Sequence, residues 1–448
     1  MMKLRIVLAA GLCSLSQTAH AAGDNALTPA PSEKASPGNA IPNRYIVEVK
    51  AGVNPQAVAP AHGIVPDFIY RRAVNGFAGQ VAPGRLAALA ADPRVTRVVP
   101  DRAVSAIGKP SSGGGTNGQV TPAGVTRIGA APGFLSFTGA GVGVAVVDTG
   151  VDYNHADLKP LGAASFSAFG GSAQDNNGHG THVSGTIAAR NNNLDVVGVA
   201  SGATIYGVKV LDANGSGSDA GVTAGLEWVA ANAALVSPPI RVVNMSLGRT
   251  GTINDNPIQH AAIQNLVANG ITVVVAAGND ASLEVSEQVP STYPEVIAVA
   301  STTAVAGTNA YRGFSGVIGA DTASYFTSDG AWNNTTGIGV SISAPGETQE
   351  NISKAAFIQS VGILSTKLGG GTTSMSGTSM ASPHTAGVAA LICQQAQSLG
   401  QTWSPEQIRT KIRNGASNFA APLDSPTSSY SFDGVREGVL YAPGALRP

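Results

Sequence analysis

The sequence predicts an α/β fold: a doubly wound, mostly parallel sheet flanked by helices, preceded by a small α+β domain. Three observations lead there. Five short apolar runs, 142–147 (VGVAVV), 203–210 (ATIYGVKV), 241–246 (RVVNMS), 271–277 (ITVVVAA) and 296–300 (VIAVA), read as strands buried on both faces. Helical patterns at about 182–190, 219–234 and 256–269 lie between them, and strand–helix alternation implies parallel pairing with helices on both sides. A compact stretch, 43–107, stands ahead, separated from the rest by the Gly/Ser tract GKPSSGGGTNG at 108–118.

The elements can be taken in chain order. Residues 1–22 carry Lys3 and Arg5, an apolar stretch over 6–15 and the A-x-A pattern Ala19-His20-Ala21. This is the layout of a secretory signal peptide, so the mature protein is expected to be secreted (extracellular), with no further membrane span. Residues 23–42, rich in Ala, Pro and Ser, read as a linker. Within 43–107, RYIVEVK alternates like a strand, NGFAGQV is a turn feeding a strand, PGRLAALAAD is helical in pattern and VTRVVPD is a final strand at 95–101. The large domain is expected over 119–448. A small unit, a flexible tract and a large unit in that order suit a segment that is removed.

Composition narrows the function. Of 448 residues 43% are hydrophobic, enough for a large core, and only 12% are charged, about half the usual share. Net charge is −1 and no Lys/Arg cluster occurs, which argues against nucleic acid and anionic membrane as partners. Of the two cysteines, Cys13 lies in the signal stretch, leaving Cys393 alone in an apolar helix as a buried, inert thiol.

In sheets of this kind, sites gather at the carboxyl ends of the strands. The first run ends in DTGVD, which places Asp148 there. NNGHGTHVSGT puts His179 at a helix start, AAGND puts Asn279 at a strand end, and GTSMASPH puts Thr378 and Ser379 at the mouth of a long apolar helix. Hydroxyls at a helix start can be caps, or one can be a nucleophile favoured by the positive helix end. An acid, an imidazole, an amide and a hydroxyl at one sheet edge are the inventory of acyl transfer. Asp152, His182 and His384 read as structural. Two histidines without a third ligand make a poor zinc site. An α/β-hydrolase esterase would need a G-x-S-x-G elbow and the order Ser, Asp, His, and neither is found.

The blocks VAVVDTGVD, HGTHVSGT, VNMSLG, VVVAAGND and GTSMASPH, in that order, resemble the subtilisin-like serine proteases (peptidase S8) over about 119–448. The resemblance implies a serine endopeptidase in which Ser379 is nucleophile, His179 general base, Asp148 its orienting carboxylate and Asn279 an oxyanion donor. It implies that extended protein or peptide substrates pair with Ser246, Leu247 and Gly248, with Ala276, Ala277 and Gly278 as one wall of a broad pocket. Gln288 falls where the family often has glycine, which would narrow or polarise the floor. It also implies a structural Ca²⁺ held by Gln119, Asp157, Arg190, Asn192, Leu194 and Val196, no organic cofactor, and a monomer. By the same resemblance 43–107 is an inhibitory propeptide, cut away between Ser105 and Gln119. Departures from the family pattern near 304–322 and 346–360 are expected to be surface loops.

Overall fold

A computed structural model describes residues 38–111, 118–313, 315–417 and 437–447. The signal stretch, most of the following linker, the middle of the Gly/Ser tract and residues 418–436 lie outside the described residues.

The large domain is built on seven strands in the order Ile342–Glu347, Ile297–Thr303, Thr272–Ala276, Ile240–Met245, Gly143–Asp148, Thr204–Lys209 and Phe166–Ser167. Every neighbouring pair is parallel. The central strands are apolar over most of their length because successive side chains enter two different cores. Val144 and Val146 pack under the helices His179–Ala188 and Thr378–Ser398, whereas Ala145 and Val147 pack under Asp219–Asn232 and Pro257–Ala268. Helix starts are written locally. Ser218 caps Gly221 N at 3.2 Å, and Asn256 caps Gln259 N at 3.0 Å just ahead of Pro257. Among the described residues no helix is long and apolar enough to cross a membrane.

All five predicted strands are present. The edge strand Ile342–Glu347 was not anticipated, because Pro345 and Gly346 interrupt its apolar pattern. The second departure is also not a simple surface loop. It contains a hairpin of Gln349–Ile352 and Ile358–Val361, with Glu347 and Glu350 fully buried beneath it. Burial and the mutual repulsion of the two carboxyls push Glu347 well above the usual carboxylate range. Ser360 donates to Glu347 and stands 2.7 Å from Ser376 Oγ, which ties the hairpin to the turn ahead of Ser379.

The N-terminal unit is an antiparallel sheet in the order Pro66–Tyr70, Gly76–Gln80, Ala40–Val49, Val95–Ala106, with short helices Pro55–Val58 and Leu86–Ala90. Its last strand runs five residues beyond the predicted 95–101. The added length has a cause: residues 103–106 leave their own sheet and pair antiparallel with Ser216–Ser218 and Leu247–Thr250 of the large domain. One strand therefore belongs to both units. Around it, Glu227 accepts the backbone N–H groups of Arg71, Arg72 and Ala73 at 2.5 to 2.6 Å, and Asp101 accepts Ala220 N at 3.0 Å.

Candidate active site

Asp148 is the last residue of its strand and is fully buried. Its Oδ1 accepts Thr149 N at 2.7 Å and lies 2.8 Å from His179 Nδ1. His179 opens its helix. Gly180 is required beside it, since a Cβ there would stand 2.1 Å from Gly150 O. Asp175 organises this helix start. Its two oxygens accept Thr149 Oγ1, Asn177 N, Gly178 N, Thr181 N and Thr181 Oγ1 at 2.6 to 3.0 Å. Burial works against a charged His179 ring, but the charge and hydrogen bond of Asp148, then the charge of Asp175, outweigh it and hold the ring above its ordinary pKa. The sequence reading overlooked Asp175. Its signal was an acid four residues ahead of His179 in the turn DNNG, where a helix wants a capping oxygen.

Ser379 is the second residue of the Thr378–Ser398 helix and is buried. Neither hydroxyl caps that helix: its N-cap is Gly377, with no side-chain cap bond. Thr378 instead fixes Asn279. Both Thr378 N and Oγ1 donate to Asn279 Oδ1 at 2.9 Å, which turns the amide nitrogen the other way. That nitrogen donates to Ile107 O at 3.3 Å, and Ser379 N donates to the same oxygen at 3.3 Å. The carbonyl of Ile107 thus sits between two donors, the arrangement an oxyanion requires.

The next residue, Gly108, lies against His179. A Cβ on Gly108 would be 2.9 Å from His179 Nε2, which shows how closely the backbone passes the ring. The Ser379 hydroxyl donates to Ser246 O at 3.1 Å, and His179 Nε2 is buried with no hydrogen-bond partner among the described residues. The row is closed between Asp148 and His179 and open between His179 and Ser379 while the chain threads between them. Catalytic hydrogen bonds are commonly loose outside the reacting complex.

The predicted groove residues act chiefly through main chain. Leu247 stands opposite Ala106 and Gly248 opposite Ser105 in the antiparallel ladder, and Ile107 N donates to Ser246 O at 3.3 Å. Ser246 Oγ donates to Ser379 O, and the side chains of Leu247 and Ala277 lie in the core. Ala276 is equally buried. Gln288 is buried and packs its Cγ and Cδ against Gly278. His182 and His384 are structural neighbours. His182 Nε2 lies 2.9 Å from Ile363 O, His384 Nδ1 lies 2.7 Å from Met380 O, and burial pushes them down to about 3 and about 4, so both are neutral. Cys393 is buried and its thiol is pushed up to about 12, as an inert thiol should be.

The six residues named for a cation do converge. Gln119 Nε2 lies 2.6 Å from Arg190 O, 3.2 Å from Leu194 O and Val196 O, and 3.4 Å from Asn192 Oδ1. Asp157 Oδ2 accepts Val196 N at 3.1 Å, and its Oδ1 is buried with no hydrogen-bond partner among the described residues. One detail departs from expectation: the Gln119 amide presents its nitrogen to these oxygens, where a ligand would present oxygen. A half-turn of the amide exchanges the two. With that turn the donor set is an all-oxygen cage containing one carboxylate, which fits a hard divalent cation.

Comparison with known proteins gives a match of residues 139–434 to the subtilase family model. Alkaline elastase YaB of Bacillus sp. (strain YaB) is 36% identical over 342 residues, covering 76% of this chain and 74% of that protein. Subtilisin Savinase of Lederbergia lenta is 37% identical over 304 residues, 68% of this chain and 94% of that protein. Subtilisin NAT of Bacillus subtilis subsp. natto is 37% identical over 303 residues, 66% of each.

Proposed function

The chain belongs to the subtilase family and is a subtilisin-like serine protease, and from that premise we propose that it is an endopeptidase working through Ser379, His179 and Asp148, made as a zymogen that cuts itself between Ile107 and Gly108. The observation that carries this reading is the Ile107 carbonyl, held by Asn279 Nδ2 and Ser379 N with the leaving residue Gly108 against His179 Nε2.

The chemistry follows from those positions. His179 takes the proton of Ser379 as Oγ attacks the Ile107 carbonyl. The oxygen gathers charge between its two donors, and preorganised donors of this kind are worth the most when the charge develops. His179 then returns the proton to the nitrogen of Gly108, that amine leaves, and water releases the acyl group by the reverse sequence. Asp148 holds the ring in the tautomer with Nδ1 protonated. Other protein substrates would lie as residues 103–107 lie, adding a strand between Ser216–Ser218 and Leu247–Thr250. The 43–107 unit then acts as an inhibitory propeptide because it fills that groove, and the signal stretch directs the protein out of the cell.

The test is active-site labelling of the processed protein with a fluorophosphonate, followed by peptide mapping and N-terminal sequencing. The label is expected on Ser379 and the new N-terminus at Gly108. A label on another serine, or a first cut elsewhere, would contradict the assignment.

Ca²⁺ would be held by Gln119, Asp157, Arg190, Asn192, Leu194 and Val196, and would supply stability by linking the start of the large domain to the 190–196 loop. A site occupied at a hundredfold over its dissociation constant adds about 2.7 kcal/mol. Excess EGTA is therefore expected to lower Tm by about 5 °C in differential scanning calorimetry. The Asp157→Asn protein should show a much smaller drop. An unchanged Tm in the wild type would dismiss the cation.

A further inference from the structure

The catalytic scheme leaves one buried pair of acids unused, and that pair is tied to the turn ahead of the nucleophile. Glu347 ends the edge strand Ile342–Glu347, Glu350 stands in the first strand of the hairpin that follows, and both are fully buried. Ser360 and Ser324 donate to Glu347, and Tyr325 N donates to Glu350 Oε1 at 2.8 Å. The two carboxyls also meet each other, and Glu347 Oε1 and Glu350 Oε2 find no other donor among the described residues. A hydrogen bond between two carboxyls needs a hydrogen that only one of the acids can supply.

No lysine, arginine or histidine among the described residues is paired with either acid. The elements packed on this strand and hairpin bring Tyr325, the Arg127–Asp321 ion pair and His384, which is neutral. Lys354 and Arg312 stand exposed on the flanking loops, and Lys109 lies opposite Ser376 in the neighbouring strand. The link to the nucleophile is direct. Gly346 O accepts Gly377 N at 3.0 Å, and Ser360 stands 2.7 Å from Ser376 Oγ. Gly346 has no slack, since a Cβ there would lie 2.1 Å from Ser301 Oγ and 2.5 Å from Gly377 O. Ser376 and Gly377 lead straight into Thr378 and Ser379, so a displacement of Glu347 is passed to the Ser379 N–H.

We propose that Glu347 and Glu350 are a positioning pair for the Ser379 turn, joined by one shared proton and effective only while that proton remains. The inference rests on the reading of Ser379 as nucleophile and of its N–H as an oxyanion donor. Two carboxylates in contact, with no cation to offset them, repel each other strongly in a low dielectric. Loss of the proton therefore drives the hairpin away from Glu347 and slackens the tie from Ser360 to Ser376. Burial and then the neighbouring carboxyl hold Glu347 well above the usual carboxylate range. The joined form is thus fully present at low pH and is lost as pH rises through that raised value.

The test follows the rate at which a fluorophosphonate labels Ser379 in the self-processed protein, from about pH 6 to about pH 10. The wild-type rate is expected to fall at least about tenfold from its plateau on the alkaline side, because loss of one oxyanion donor costs about 10²–10³. Difference infrared spectra of the wild type should show the band of a buried protonated carboxyl vanish with the same midpoint. Glu350→Gln supplies an amide that can accept Tyr325 N through its oxygen and donate to Glu347 through its nitrogen, with nothing to titrate. Its rate should fall less than about twofold over the same range, and Glu347→Gln should behave alike if the first variant does not fold. A wild-type rate that stays level to about pH 10, a carboxyl band that vanishes at another pH, or an alkaline loss kept by the folded glutamine variant overturns the positioning pair. A label on a serine other than Ser379 overturns the assignment of the site itself, and this inference with it.

Discussion

Ser379→Ala protein is expected to accumulate as an uncut chain and to lose about 10⁶ in kcat, a size known from the equivalent change in subtilisin itself. The loss is large because serine and histidine act as one unit, so that nothing else in the site can form the acyl group. The fold should survive, since the change removes one buried hydrogen bond to Ser246 O and about 1 kcal/mol with it. Intact mass read against the wild type gives the outcome directly. A chain of full processed mass, cut after Ile107 by purified variant alone, would show that another group does the cutting.

Asp148→Asn should be nearly as severe, about 10⁴ in kcat, because an amide cannot hold Nδ1 protonated and cannot offset the imidazolium. Here pH adds a second readout. In the wild type the ring pKa lies above its ordinary value, so activity is fully present at higher pH and is lost as pH falls through that raised pKa and the base becomes protonated. The variant lacks the largest charge that raises the ring. The acid limb of its residual kcat/KM should therefore move to lower pH. A pH–rate profile with the plateau lowered and the limb unmoved would mean that Asp148 does not act on His179.

The residues proposed to do the chemistry were the easiest to place. Asp148, His179, Asn279 and Ser379 each lie at or just past a strand end or in the first turn of a helix, and those positions are marked by an apolar run and a glycine. The parallel sheet was legible for the same reason: strands buried on both faces leave no alternation to misread. What escaped depended on contacts between distant segments. Asp175 looks like a turn residue until five donors are seen converging on it. Thr378 looks like a cap until its hydroxyl is found on Asn279. The Ile342–Glu347 strand is hidden by Pro345 and Gly346, and its buried carboxyl pair with Glu350 has no local signature. The extension of Val95–Ala106 is set by partners more than a hundred residues away, so no window of sequence could have bounded it.

That shared strand separates two events that a single cut might be thought to join. Hydrolysis after Ile107 would break one covalent link and leave untouched every cross-strand pairing of residues 103–106 with Ser216–Ser218 and Leu247–Thr250, along with the grip of Glu227 on the 71–73 backbone. The severed piece would stay seated as a tenant of the cleft. Freedom to act on other proteins would come only when that tenant unfolds or is itself digested, so the lag before activity appears would be governed by the small domain's own stability and not by the speed of the first cleavage.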